Sequence, residues 1–289
     1  MKKLSTYLIS LFLSIFLVFL IIASAVAGVL RMNITEQKSK AMFGKNNVYS
    51  LITGELQKYF SAQYNTTGIP ADVYMEALDE SYIINVTDAY VNSMFDTLKT
   101  GKSKKFTIPE NETLENNIRN FFSDYADNNN YEKNDVYEKK VSATIENAYR
   151  VTENYCDVYK YATLQEHGVL SKISAIFSRI GKISLICTGI TVFLIILLIV
   201  ANMKSIRDAL YWTGISGIIA GILGTLPTAW LISADYFDSF AIKQPQIFKA
   251  FTGTMYAVTE SVMTVNIAVM ISGIVFVIIY GLMCKADKK

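Results

Sequence analysis

The chain has 289 residues, of which 52% are hydrophobic and 18% charged, and its net charge is +2. The charged share falls below the roughly 25% of ordinary soluble domains, so the composition argues for a membrane protein. A nearly balanced charge excludes the electrostatic footprint of a nucleic-acid binder, and no nucleic-acid partner is expected.

Residues 1–6 form a short basic N-terminus carrying Lys2 and Lys3. The run 7–30 follows without a charge and ends at Arg31. It is long enough to cross the ~30 Å of bilayer hydrocarbon. Ala23-Ser24-Ala25 resembles the cleavage site of a secretory signal, but the apolar run continues to Leu30 and favours an uncleaved signal anchor. Both readings place the next segment outside.

Residues 31–168 read as a helical domain. A helix is predicted over 46–64. Val73, Ala77, Ile84, Val91, Phe95 and Leu98 recur at three, four or seven residues, which is one helical face. Pro70 stands near its first turn and Gly101 follows its end. The lysines Lys102, Lys104 and Lys105 come next; Gly101-Lys102-Ser103 mimics the end of a phosphate loop, but Asp96 occupies the position of the required glycine. Another helix is predicted over 110–127, with Asn128-Asn129-Asn130 as a turn. A stripe from Tyr137 through Val141, Ile145, Ala148 and Thr152 to Ala162 predicts one long helix over 132–166, about 50 Å at 1.5 Å per residue. Gly168 stops it. Many stripe positions are Tyr or Thr, whose hydroxyls need partners in the core.

Residues 169–182 are amphipathic: Val169, Ile173, Ile176 and Ile180 alternate with Ser171, Lys172, Ser174 and Arg179. This stretch either lies in the headgroup layer or extends the next span, and Gly181 favours a bend and the first reading. Spans follow at 183–203, 210–233 and 262–283. Between them come a tight loop, 204–209, and a longer aromatic-rich loop, 234–261, read as an interfacial belt, a lid or a partner contact. The tail is 284–289. Lys204 and Arg207 in the tight loop, Lys2 and Lys3 before the first span, and Lys285, Lys288 and Lys289 after the last put both termini and 204–209 in the cytoplasm. The predicted fold class is therefore an all-α membrane protein, with four transmembrane helices and an extracytoplasmic antiparallel helical bundle inserted between helices 1 and 2. Abundant Asn, Lys, Ile and Tyr suggest an AT-rich genome and a bacterial plasma membrane.

The stretch GISGIIAGILG, 214–224, places Gly214, Gly217, Gly221 and Gly224 inside a span. Each costs about 1 kcal/mol of helix propensity relative to alanine. At 100° per residue they fall on one stripe roughly 80° wide, the pattern of a close-packed membrane interface. Asn266, Gly273 and Tyr280, spaced by seven on the last span, offer an intramolecular surface, and Ser10, Ser14, Ser24 and Gly28 another on the first. Docking to a membrane-protein partner or a second copy of the chain is the competing reading. Pro227 removes one backbone bond and predicts a kink.

Chemistry is harder to find. His167 is the single histidine and stands beside Gly168 at a helix end. No zinc or nucleophile constellation surrounds it. The three cysteines, Cys156, Cys187 and Cys284, are assigned to three different compartments and build no disulfide framework. No catalytic residue, metal or cofactor is expected. Four N-x-[ST] sequons, at Asn33, Asn65, Asn85 and Asn111, carry little weight alone. The expected function is that of a non-enzymatic binding, sensing or accessory subunit displaying an outer helical domain. The alternative is a permease-type subunit of a transport complex, because one span, a large outer domain and three further spans is similar in layout to the FtsX and MacB type of ABC permease. Those permeases carry a longer inner segment than 204–208 to engage an ATPase.

Overall fold

The computed structural model describes residues 2–102 and 106–286, with the side chains of 2–5 also outside the described set. Lys104, Lys105, Lys288 and Lys289, and Ser103 of the rejected phosphate-loop match, lie outside it. The protein is all-helical, with four long apolar helices flanking a soluble helical segment: α1 (Lys2–Asn33), α2 (Glu36–Lys45), α3 (Val48–Thr67), α4 (Asp72–Met75), α5 (Glu80–Thr100), α6 (Glu112–Asn128), α7 (Asp135–Cys156), α8 (Tyr161–Glu166), α9 (Val169–Ala201), α10 (Ile206–Ser233) and α11 (Pro245–Ala286). It divides into two compact units. One comprises Met1–Thr35, Ile176–Phe240 and Thr254–Lys289, the other Glu36–Ala175 and Ala241–Gly253.

The first unit holds helices long and apolar enough to cross a membrane. Leu17, Leu194, Leu198 and Trp212 form its buried cluster. Hydroxyl and amide contacts join α1 to its neighbours: Asn202 Nδ2 donates to Ser10 Oγ at 2.9 Å, and Ser216 Oγ to the Ser14 carbonyl at 3.2 Å. The hydroxyls of Ser24 and Thr191 lie 3.1 Å apart. In hydrocarbon such bonds have no water to compete with them. Phe12, Phe16 and Phe19 stand outward on the opposite face of α1, as lipid contact requires.

Two boundaries differ from the sequence expectation. Helix α9 runs without interruption through Gly181, so the amphipathic stretch extends the second apolar helix instead of bending away from it. Glycine permits a bend but does not enforce one, and the i to i−4 bonds on either side continue. Helix α11 starts at Pro245, where a missing N–H costs nothing, so much of the loop expected over 234–261 is helix. What remains carries a short 3-10 turn, Tyr236–Ser239, whose Phe237 ring packs edge-on against Tyr256 at 5.1 Å.

The second unit is a helical bundle. Its core is supplied by Ile52, Leu56 and Phe60 of α3, by Ile83, Val91 and Phe95 of α5, by Leu114 and Ile118 of α6, and by Val141 and Ala148 of α7, all buried. Side-chain caps set the helix starts: Asp79 accepts from the Tyr82 N–H at 2.7 Å, Asn111 from Leu114 at 3.0 Å, and Asn134 from Val136 at 3.0 Å. Gly68 and Gly101 end α3 and α5 in the left-handed conformation. The face that begins at Val73 is divided between α4 and α5, because the Asp79 cap starts a new helix. The helix expected over 132–166 is broken at 157–160 for a related reason. The Asp157 carboxylate accepts from the Tyr161 and Ala162 N–H groups at 2.7 and 3.0 Å, and Lys160 turns left-handed at φ 53°.

Candidate functional site

The glycine stripe faces α11, and the order of contacts runs opposite in the two helices. A methyl group built on Gly214 would lie 2.8 Å from the Gly273 carbonyl oxygen, and one on Gly217 3.3 Å from the Gly273 Cα. On Gly221 it would lie 2.5 Å from Met270 Cβ and 2.8 Å from the Asn266 carbonyl oxygen. On Gly224 it would overlap the Asn266 amide. The backbones therefore approach as closely as glycine alone allows. Asn266 is fully buried there; its Nδ2 donates to the Val262 carbonyl at 2.8 Å and its Oδ1 has no partner. Tyr280 lies further along α11, its ring 5.2 Å from that of Tyr211. Pro227 sits inside α10, where the Thr228 hydroxyl one residue on donates to the Gly224 carbonyl at 3.0 Å. Ser14 and Ser24 take part in the α1 contacts above, whereas Gly28 has only the Ser184 hydroxyl near it, 4.0 Å from an added methyl. The four glycines of α10 and Gly273 of α11 thus form a close helix–helix contact.

The second unit contains a different kind of feature, created by the break at 157–160. A cleft of about 570 Å³ opens where α7 meets α8. Helix α7 contributes Arg150, Glu153 and Asn154, at i, i+3 and i+4, which is one face, and Asp157 follows its end. Lys160 at the elbow and Glu166 of α8 are brought to the same opening. A straight helix would have carried them away along its axis.

Tyr90 of α5 forms the inner wall. Its hydroxyl donates to Glu153 Oε1 at 2.5 Å, and its ring lies 4.1 Å from Phe106, which closes one side. Burial, reinforced by the Glu153 carboxylate, holds the Tyr90 phenol well above the ordinary tyrosine value, so it remains a donor. Asp157 is 4% exposed. Burial raises its pKa, and the two backbone N–H bonds oppose that rise. Lys160 is shifted down by burial and held up by Asp157. Its Nζ donates to the Asn154 carbonyl and Oδ1 at 2.9 and 3.1 Å, which leaves one of three donors free. Behind the elbow, Cys156 is fully buried, and burial pushes its thiol up to about 12, which disfavours the thiolate.

No relative carries the reading further. Comparison with known proteins finds no family model, no curated protein and no solved structure that matches the chain. Among the described residues, no three His, Cys, Asp or Glu side chains are grouped as a metal ion would need. His167 follows the end of α8, its N–H bonded to the Thr163 carbonyl at 3.2 Å.

The sequence pattern singles out none of the cleft residues as a site. One local signal was present: an aspartate four residues before Tyr161 can cap a new helix start. It was outweighed by the continuing apolar periodicity and by the absence of Gly or Pro from 157–160.

Proposed function

We propose that the chain is a multi-pass membrane protein that works by binding and not by catalysis. It is a binding, sensing or accessory subunit whose helical unit stands on the outer face of the plasma membrane and takes a small ligand at the α7–α8 elbow. The observation that carries this reading is the cleft itself, which combines an aromatic wall, two cations and free carboxylates within one compact unit. A volume of about 570 Å³ lies within the 300–1,000 Å³ of small-molecule sites. The part-buried Tyr90–Glu153 bond and the two N–H bonds to Asp157 fix the wall, which lowers the ordering cost of binding.

The test uses the full chain in lipid nanodiscs with the fraction of a host-cell extract below 1 kDa. Hydrogen exchange at 153–163 is expected to slow at least several-fold when the fraction is added. Unchanged exchange there would overturn the reading. A permease-type subunit is the second reading, favoured by a groove of about 500 Å³ among the apolar helices, lined by Ser24, Thr191, Gly217 and Gly273. A co-purifying ATPase is its expected sign, and repeated recovery without one counts against it.

A further inference from the structure

We infer that the elbow cleft is built for a small zwitterion: an amino acid or short peptide with both ends free and an apolar side chain. The inference rests on the binding role above and names the ligand class. It follows from which charges in the cleft are already used. Asp157 has both its contacts committed to backbone N–H groups, so it is part of the scaffold. Among the charged groups with bonding capacity left for a ligand, Glu153 and Glu166 stand against Arg150 and Lys160, two of each sign.

Each of the four keeps bonding capacity. Glu153 gives one oxygen to Tyr90 and retains the other. Arg150 spends one NH2 contact on Asn147, at 2.8 Å, out of five donors. Lys160 retains one N–H, as above, and the Glu166 side chain is exposed. An anion would meet two carboxylates without a counter-charge of its own, and a cation would meet two basic groups. A ligand carrying one charge of each sign satisfies both pairs at once. Its carboxylate is bound by Arg150, which offers a planar fork, and by Lys160. Its ammonium is bound by Glu153 and Glu166. The half-buried Phe106 ring, packed on the buried Tyr90 ring, supplies apolar surface in the same cleft, which suits a side chain and not a bare glycine.

The experiment is calorimetric titration of the full chain in nanodiscs. The probes are L-phenylalanine and the dipeptide Ala-Phe, each also as its N-acetyl and C-terminal amide derivative. The free forms are expected to bind, and blocking either end to weaken binding at least tenfold. Arg150→Gln is expected to erase the penalty for the amide while keeping that for the acetyl group, and Glu153→Gln to do the reverse. The blocked ligands need no variant to fold, so the end-dependence stands independently of the mutants. Equal binding of free and blocked forms overturns the inference. So does the absence of binding by every probe: if the extract fraction still protects 153–163, the ligand class is wrong and the binding role survives, and if that protection is also missing, the binding role falls with it.

Discussion

Asp157 joins the fold to the cleft, and its position makes an unusual pH dependence. Most native carboxylates are held below their unfolded pKa by partners and lose stability in acid. Asp157 is buried first and bonded second, and its pKa is raised. The folded state therefore takes up its proton more readily than the unfolded chain, where the value is about 3.9. The stability it contributes is complete below that value and is lost as pH rises through the window up to the raised folded value. Replacing Asp157 with Asn removes this titration and keeps one oxygen to accept from Tyr161. Unfolding of the full chain in detergent, followed by near-ultraviolet circular dichroism from about pH 3.5 to 7, should show a flatter profile in Asp157→Asn. At neutral pH, the lost charge-assisted bond, about 1.5–3 kcal/mol, is partly offset by relief of the buried charge. A variant profile parallel to the wild type would assign the slope to other carboxylates.

At the scale of elements, the α10–α11 seam separates two kinds of close contact. The atoms nearest the methyl of Gly224→Ala belong to the Asn266 side chain, whereas that of Gly221→Ala meets the Met270 Cβ and the Asn266 backbone. Overpacking of this kind costs about 1–3 kcal/mol. Asn266→Ala removes the obstructing amide together with its unpartnered oxygen, so it should restore more than half of the thermal stability lost in Gly224→Ala. It should restore nothing in Gly221→Ala. Equal rescue of both, or of neither, would contradict the register. The stripe at 214–224 could be read from sequence because a glycine period in an apolar run survives any detail of tertiary structure. The same holds for α3 and α6, whose ends carry glycine or asparagine signals. The elbow at 157–160 could not be read this way, because a side-chain cap interrupts the helix while the hydrophobic period runs on past it. The early start of α11 is masked in the sequence by the aromatic residues of 245–261, which read as a loop, although Pro245 marks a helix start. The meeting of Arg150 and Glu153 with Lys160 and Glu166 at one opening depends on that elbow, so the sequence hides it as well.

At the scale of the whole chain, the division into units bears on how the protein is threaded through the bilayer. The bundle is not one stretch of sequence: Ala241–Gly253 belongs to it along with Glu36–Ala175. A methyl on Gly253 would lie 2.5 Å from Asn46 Nδ2, and Ala250 is 1% exposed. Four crossings put the segment after α1 and the segment between α10 and α11 on the same side by parity, so a bundle assembled from both is compatible with four spans. Three or five crossings that separated these segments are not. The side follows from charge: Lys204 lies in the turn between α9 and α10 and Arg207 in the first turn of α10, and cytoplasmic loops hold the excess of such residues. In a chain whose native cysteines are replaced by alanine, Asn129→Cys and Lys243→Cys should both react with a thiol reagent that cannot enter intact cells. Ser205→Cys should react only after the cells are opened. Labelling of Asn129→Cys without Lys243→Cys would break the parity argument, whereas labelling of Ser205→Cys alone would keep the four spans and reverse the face on which the cleft opens.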